Sequence, residues 1–201
     1  ATKERGVTVP LLERAGDCTL ARVNERQHPQ NKVLRRVRSL LLNAGLVLVI
    51  FLAVTTYQSR NMLDTGGQPA PALHGTTLSG EPYNLAGAAS RPALVYFFAP
   101  WCKVCAASAG NLNRLRHWRD ASELEMIAVA LDWQAVEEVS AYAERHELDI
   151  TVVLGDANVA RNWQIYAFPS YYVLDSEHRI TRRDVGYSSQ LGLLWRAWTV
   201  D

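Results

Sequence analysis

The sequence predicts an α/β domain, a central sheet with helices packed against it, preceded by one membrane-crossing helix. Two patterns predict it. From residue 72 onward, short apolar runs of strand length alternate with helix-length segments. Before them, residues 40–57 (LLLNAGLVLVIFLAVTTY) form an apolar stretch without a charge, broken only by Asn43 and the two threonines. With 48% hydrophobic and 20% charged residues among 201, the chain is globular in make-up, which excludes collagen, wholesale disorder and a disulfide-dense scaffold.

The net charge of +1 hides a division. Residues 1–39 carry nine Lys/Arg against four Asp/Glu, whereas 58–201 carry twelve against sixteen. The whole-chain charge gives no reason to expect a nucleic-acid partner. Eighteen helical residues span about 27 Å, close to a bilayer's hydrocarbon thickness. Arg35, Arg36 and Arg38 crowd the N-terminal side and only Arg60 lies near the other end. The positive-inside rule then puts 1–39 in the cytoplasm and 58–201 outside it. A cleaved signal peptide wants a short n-region and a small-x-small site, but 39 residues precede this run and the site around 53–55 is poor. A buried core helix would show a polar stripe, which the run lacks.

The head, 1–39, has no aromatic residue and no sustained period, and reads as a basic tail with a short helix near 31–39. Residues 58–71, with Gly66-Gly67, Pro69 and Pro71, read as a flexible tether, leaving 72–201 as the folded domain. Within it, 76–85 holds a Ser79-Gly80-Glu81-Pro82 turn between extended pieces, and 93–98 (ALVYFF) suits a strand covered on both faces. A helix over 102–118 follows, with Leu112, Leu115 and Trp118 on one face. Strands are expected at 126–131, 151–154, 171–174 and 180–185, and helices at 135–145, 158–163 and 190–198.

The chemistry lies where the first buried strand meets its helix, in Trp101-Cys102-Lys103-Val104-Cys105. Cysteines at i and i+3 in a first helical turn share a face and can close a disulfide. Free N–H groups at the helix start stabilise the Cys102 thiolate, and Lys103 adds a cation; Cys105, deeper, is the resolving thiol. Trp101 can shield the reactive sulfur and present a docking surface. A structural zinc site would need two more ligands, and Ala106 stands where a haem-attachment motif has histidine. A redox dithiol is the reading that the strand–CxxC–helix context favours.

These residues resemble the thioredoxin-like family, and the stretch from 71 to 198 is similar to the membrane-anchored TlpA/ResA type of thiol–disulfide oxidoreductase. The supporting matches are Val129-Ala130-Leu131-Asp132, Val153-Leu154-Gly155-Asp156, and Phe168-Pro169-Ser170-Tyr171-Tyr172-Val173-Leu174-Asp175 followed by Gly186. The Trp-Cys-x-Val-Cys form behind a signal anchor is most similar to the suppressor-of-copper-sensitivity protein D group. The resemblance implies a thioredoxin fold, a central mixed sheet with helices on both faces. It also implies a cis-Pro169 facing the dithiol, with Phe168 before it pairing with a bound partner. The implied partners are protein disulfides and a membrane thiol electron donor, and the implied place is a bacterial inner membrane, single-pass, with the C-terminal domain in the periplasm. Copper tolerance is the associated physiology. The chain departs from the pattern at Val104, where thioredoxins usually have proline. It departs again at Tyr96, where they keep a buried acid, and at Ser108, where some relatives keep a glutamate. Asp132 and Glu125 are weak substitutes for the missing proton acceptor.

The expected activity is disulfide exchange, running as a reductant, with no cofactor and no metal required by the exchange itself. An oxidase is the alternative within that chemistry, and a copper-binding or delivery module using the same thiols the alternative outside it. A peroxidase lacks its Thr-x-x-Cys context. Trp118, Trp133, Trp163, Trp195 and Trp198 are expected to pack; His74, His117, His146 and His178, and the pairs Glu137-Glu138 and Arg182-Arg183, are expected to be solvated. Cys18 is expected to be a free thiol in a reducing compartment.

Overall fold

A computed structural model describes residues 29–60, 62–87 and 91–198. Cys18 and most of the expected basic tail lie outside the described residues.

The N-terminal described element is a helix, α1 (Pro29–Ser59), of 31 residues. Its 35–54 portion is long and apolar enough to cross a membrane. The helix begins before the expected short segment at 31–39 and runs without a break into the apolar stretch, since nothing between them is a helix breaker.

The following elements are β1 (His74–Thr77), β2 (Pro82–Asn84), β3 (Ala93–Phe98), α2 (Lys103–Trp118), β4 (Glu125–Ala130), α3 (Val136–Arg145), β5 (Thr151–Leu154), α4 (Ala157–Asn162), β6 (Ser170–Leu174), β7 (Ile180–Val185) and α5 (Gln190–Trp198). The strands form one sheet in the order β2-β1-β5-β4-β3-β6-β7. Its centre, β3-β4-β5, is parallel and its flanks are antiparallel, so the sheet is mixed. The expected turn at 79–82 joins β1 to β2.

Alternation on the central strands divides the core. Leu94, Tyr96 and Phe98 face α2, α3 and α5, which contribute Leu112, Leu115, Tyr142 and Leu193. Val95 and Phe97 face the opposite layer, made by Val159 and Trp163 of the α4 region with Met62, Leu73 and Leu85. All six residues of β3 are buried, as a strand covered on both faces requires. At the end of β5, Gly155 is obligatory: a Cβ there would come within 2.7 Å of the Leu131 and Val129 side chains.

Several expectations change. Residues 62–70, expected as part of a free tether, form a strap along β6 and β7. Met62 is buried, the Tyr172 hydroxyl accepts the Leu63 N–H at 3.1 Å, and Ile180 N–H donates to Gln68 O at 2.9 Å. Arg183, expected to be solvated, donates to Met62 O at 2.7 Å and Leu63 O at 2.6 Å, while Arg182 on the other face of β7 lies 4.5 Å over the Trp195 ring. Successive strand residues point to opposite faces, so this arginine pair serves two surfaces. Trp163 is fully buried, but Trp118 is 56% and Trp195 63% exposed. His146 is half-buried against the Tyr142 ring.

Candidate active site at the end of β3

β3 delivers the chain to Ala99, and α2 starts four residues later. Cys102 is the N-cap of α2 in extended conformation, so the helix starts one residue later than expected, and its sulfur accepts the Cys105 N–H at 3.1 Å. The two cysteines form a disulfide, with Cα atoms 5.2 Å apart. Cys105 is wholly buried and Cys102 is 6% exposed, so the outer sulfur belongs to Cys102. Lys103 and Val104, between them, point to solvent.

Parallel pairing of Phe98 with Ala130 carries the end of β4 to the same edge, and antiparallel pairing of Phe97 with Ser170 brings the start of β6 there. Pro169 therefore lies at the sheet end from which Cys102 emerges. It is buried, and the Phe168-Pro169 bond is cis, as the resemblance implied. Pro169 O accepts the Gly186 N–H at 2.8 Å. The half-buried Phe168 ring meets Trp101 edge-on, with centroids 5.9 Å apart. The six expected site residues, Trp101, Cys102, Lys103, Cys105, Phe168 and Pro169, thus gather at one end of the sheet.

Asp132 is the residue whose role the sequence reading missed. Just beyond β4 in a left-handed conformation (φ 51°), it receives the Trp101 indole N–H on its carboxylate at 3.0 Å and on its carbonyl at 3.2 Å. The signal available was its place at the end of a strand paired with β3. Two clefts share this residue. One, about 390 Å³, is lined by Leu131, Trp133, Gly155, Asp156 and Phe168; the other, about 680 Å³, by Trp101, Glu137, Glu138 and Arg145. Trp133 N–H donates to Gly155 O at 3.0 Å, closing the first cleft's wall.

Under the disulfide lies Tyr96, fully buried, whose hydroxyl donates to Cys105 O at 3.2 Å. Burial pushes its phenol well above the ordinary value, with Tyr142 and Tyr171 adding to the effect. It is a neutral donor at physiological pH. Ser108, also buried, donates back to Val104 O at 3.0 Å. Glu125 is no substitute proton acceptor: it pairs with Ala93, at the far end of β3, and is bound by Arg91.

A model of the AhpC/TSA family matches residues 66–183. The thioredoxin-like protein YneN of Bacillus subtilis is 27% identical over 151 residues, covering 71% of this chain and 88% of that protein. The soluble secreted antigen MPT53 of Mycobacterium tuberculosis is 32% identical over 76 residues, 38% of this chain and 42% of its own. Among solved structures, a thiol:disulfide interchange protein of the thioredoxin family from Chlorobium tepidum superposes with a TM-score of 0.61 at 20% identity, covering 69% of this chain and 99% of that one. A secreted Mycobacterium tuberculosis disulfide oxidoreductase homologous to E. coli DsbE superposes with a TM-score of 0.57 at 20% identity, over 64% and 96%. The domain has the thioredoxin fold.

Proposed function

Because the chain belongs to the AhpC/TSA family, we propose that it is a membrane-anchored thiol–disulfide oxidoreductase that reduces protein disulfides outside the cytoplasm. The observation that carries this reading is the Cys102–Cys105 disulfide capping α2 at the edge where Trp101 and Phe168 meet. In the reduced domain, the Cys102 thiolate attacks a partner disulfide, forming a mixed disulfide and expelling one partner thiolate. The Cys105 thiolate then attacks the Cys102 sulfur, and the second partner thiol leaves. The partner has gained two electrons and two protons, and the domain holds the disulfide seen here. A membrane dithiol donor returns it to the reduced form by the same exchange in reverse.

The exposed Trp101 ring supports a docking role, and the buried start of β6 at Pro169 supports pairing of the partner backbone with Phe168. Lys103 and the α2 N-terminus support a stabilised Cys102 thiolate. The apolar helix over 35–54 supports a single-pass anchor in a bacterial inner membrane. The arginines before it support a cytoplasmic 1–39 and a periplasmic 72–201. The Trp-Cys-x-Val-Cys form supports placement with the TlpA/ResA type and the suppressor-of-copper-sensitivity protein D group.

A second direction has one observation in its favour. A helix N-terminus and an adjacent cation stabilise the thiolate, which raises the reduction potential and suits an oxidase. Thiol trapping in intact cells separates the two: as a reductant, Cys102 and Cys105 are mostly reduced and become oxidised when the membrane donor is removed. A pair oxidised in unperturbed cells and able to pass its disulfide to a reduced unfolded protein overturns the reductant in favour of the oxidase. The copper module has two thiols to offer, with no group of three or more His, Cys, Asp or Glu gathered among the described residues. Stoichiometric Cu(I) binding that survives glutathione, without reductase activity, would establish it instead.

A further inference from the structure

We infer that Asn111 is a positioning residue for the exchange: its buried carboxamide holds the turn after β7, and through that turn the Pro169 carbonyl, at a fixed place beside the helix that bears the dithiol. This rests on the docking reading above, in which a partner's backbone pairs with Phe168 while its sulfur meets Cys102. Such a partner bridges two segments, the start of α2 and the turn before β6. Their spacing has to be the same in every encounter, since misplacing reacting groups by about 1 Å can cost about 100-fold in rate.

A continuous path links Asn111 to that turn. β6 and β7 pair as far as Ser170 and Val185, and one step further the Gly186 N–H donates to Pro169 O at 2.8 Å. Gly186 has φ 92°, a conformation that glycine adopts without strain, and there the chain leaves the sheet. The next two residues come to α2: the Asn111 amide donates to Ser188 O at 2.9 Å and to the Tyr187 hydroxyl at 3.2 Å.

Asn111 is 5% and Ser188 2% exposed, so the tie between them is made away from water. A carboxamide is costly to bury unless its N–H groups are bonded, and Leu112 and Leu115 already supply the apolar packing of α2. Satisfied polar bonds in such a place fix one arrangement of two elements where apolar contact alone would accept several. Asn111 stands nine residues beyond Cys102, about 13 Å along the helix axis, too far to touch the reacting sulfurs. It acts only through the 186–188 turn.

α2 has a second amide tie that leads elsewhere. Asn113 donates to His146 O at 2.9 Å and accepts the Asp149 N–H at 3.4 Å, joining the same helix to the turn between α3 and β5 and not to Pro169.

The test follows the reduced full chain in detergent micelles, with insulin as the protein disulfide and iodoacetamide as the small reagent for Cys102. Asn111→Leu keeps the side-chain volume and removes the donors. It should lower kcat/KM for insulin about fivefold, through KM, the effect of one lost hydrogen bond. The alkylation rate and the equilibrium with glutathione should stay at wild-type values. Asn113→Leu should lower thermal stability at least as much and leave kcat/KM alone. Tyr187→Phe, at an exposed ring, should cost about threefold by itself and nothing further in the Asn111→Leu chain, because the bond it removes is already gone. Wild-type chain that exchanges with neither insulin nor glutathione fails the exchange reading itself. With active wild type, an unchanged Asn111→Leu chain, an Asn113→Leu chain slowed to the same degree, or alkylation slowed as much as insulin exchange overturns the positioning role alone. If Asn111→Leu does not fold, Tyr187→Phe decides: a loss of about threefold upholds the role, and wild-type kinetics overturn it.

Discussion

The indole N–H of Trp101 is held by the carboxylate of Asp132 at 3.0 Å, tying the residue before the outer cysteine to the loop after β4. Phe168 meets the same ring from the β6 side. The three chain segments that surround the disulfide are therefore joined through one side chain.

Asp132→Ala should slow exchange with a protein partner about fivefold, the worth of one hydrogen bond near 1 kcal/mol, while alkylation of reduced Cys102 by a small reagent keeps its rate. Asp132→Asn should stay close to wild type, because the amide oxygen still accepts and asparagine tolerates the left-handed backbone. Stopped-flow exchange kinetics measure both. An Asn variant as slow as the Ala variant would show that the charge, and not the tie to Trp101, is what matters.

The proposed exchange makes Cys102 the attacking thiol and Cys105 the resolving one. Cys102→Ser should abolish reduction of a model disulfide, whereas Cys105→Ser should block turnover yet accumulate mixed disulfides, since no resolving thiol remains. Mass spectrometry of alkylated, reduced protein provides the check. Faster modification of Cys105 than of Cys102 would reverse the assignment.

Tyr96→Phe keeps the ring in its stack with Phe98 but removes the hydroxyl bonded to Cys105 O. Stability should fall by about 1 kcal/mol in urea unfolding of the full chain. The pH–rate profile should keep its shape up to mild alkali, because the phenol, held above its ordinary value by burial, does not titrate there. A profile that lost an ionisation step in the variant would make Tyr96 a proton carrier.

Asp156 caps α4, accepting the N–H groups of Asn158 at 2.9 Å and Val159 at 2.8 Å. These bonds, the Val159 one foremost, hold its carboxyl below the usual aspartate value. The folded state thus favours the ionised form. Its contribution is complete above the unfolded value of about 3.9 and is lost as pH falls through the lower folded one. Asp156→Ala should cost about 1 kcal/mol at neutral pH. The gap from wild type should close below that window, as paired acid-unfolding curves would show; a gap unchanged by acid would mean that packing, not the cap, accounts for the loss.

How much was legible in the residues follows their periodicities. Burial on both faces writes itself as an unbroken apolar run, so β3 is plain at 93–98, and the ends of β5, β7 and α5 fall where the pattern puts them. The Cys102–Cys105 pair is local, set by a spacing of three at a helix start, and needs no long-range information. The resemblance brought Phe168 and Pro169 to the site; composition and spacing alone would have left Pro169 an ordinary strand-start proline.

What tertiary structure decided is everything that depends on which distant strands become neighbours. Asp132 holds Trp101 because β4 pairs with β3 in the register Phe98–Ala130, and Glu125 is removed from the site by the same register. Residues 62–70, glycine- and proline-containing and unlike a strand, become a strap because Arg183 and Tyr172 reach them from strands more than a hundred residues away. Trp163 and Trp195 carry the same side chain and opposite burial, since only the packing of α4 and α5 on the sheet determines which face of each is covered. Local spacing specifies local chemistry; hydrogen bonds between distant segments depend on register, and register is a property of the assembled sheet.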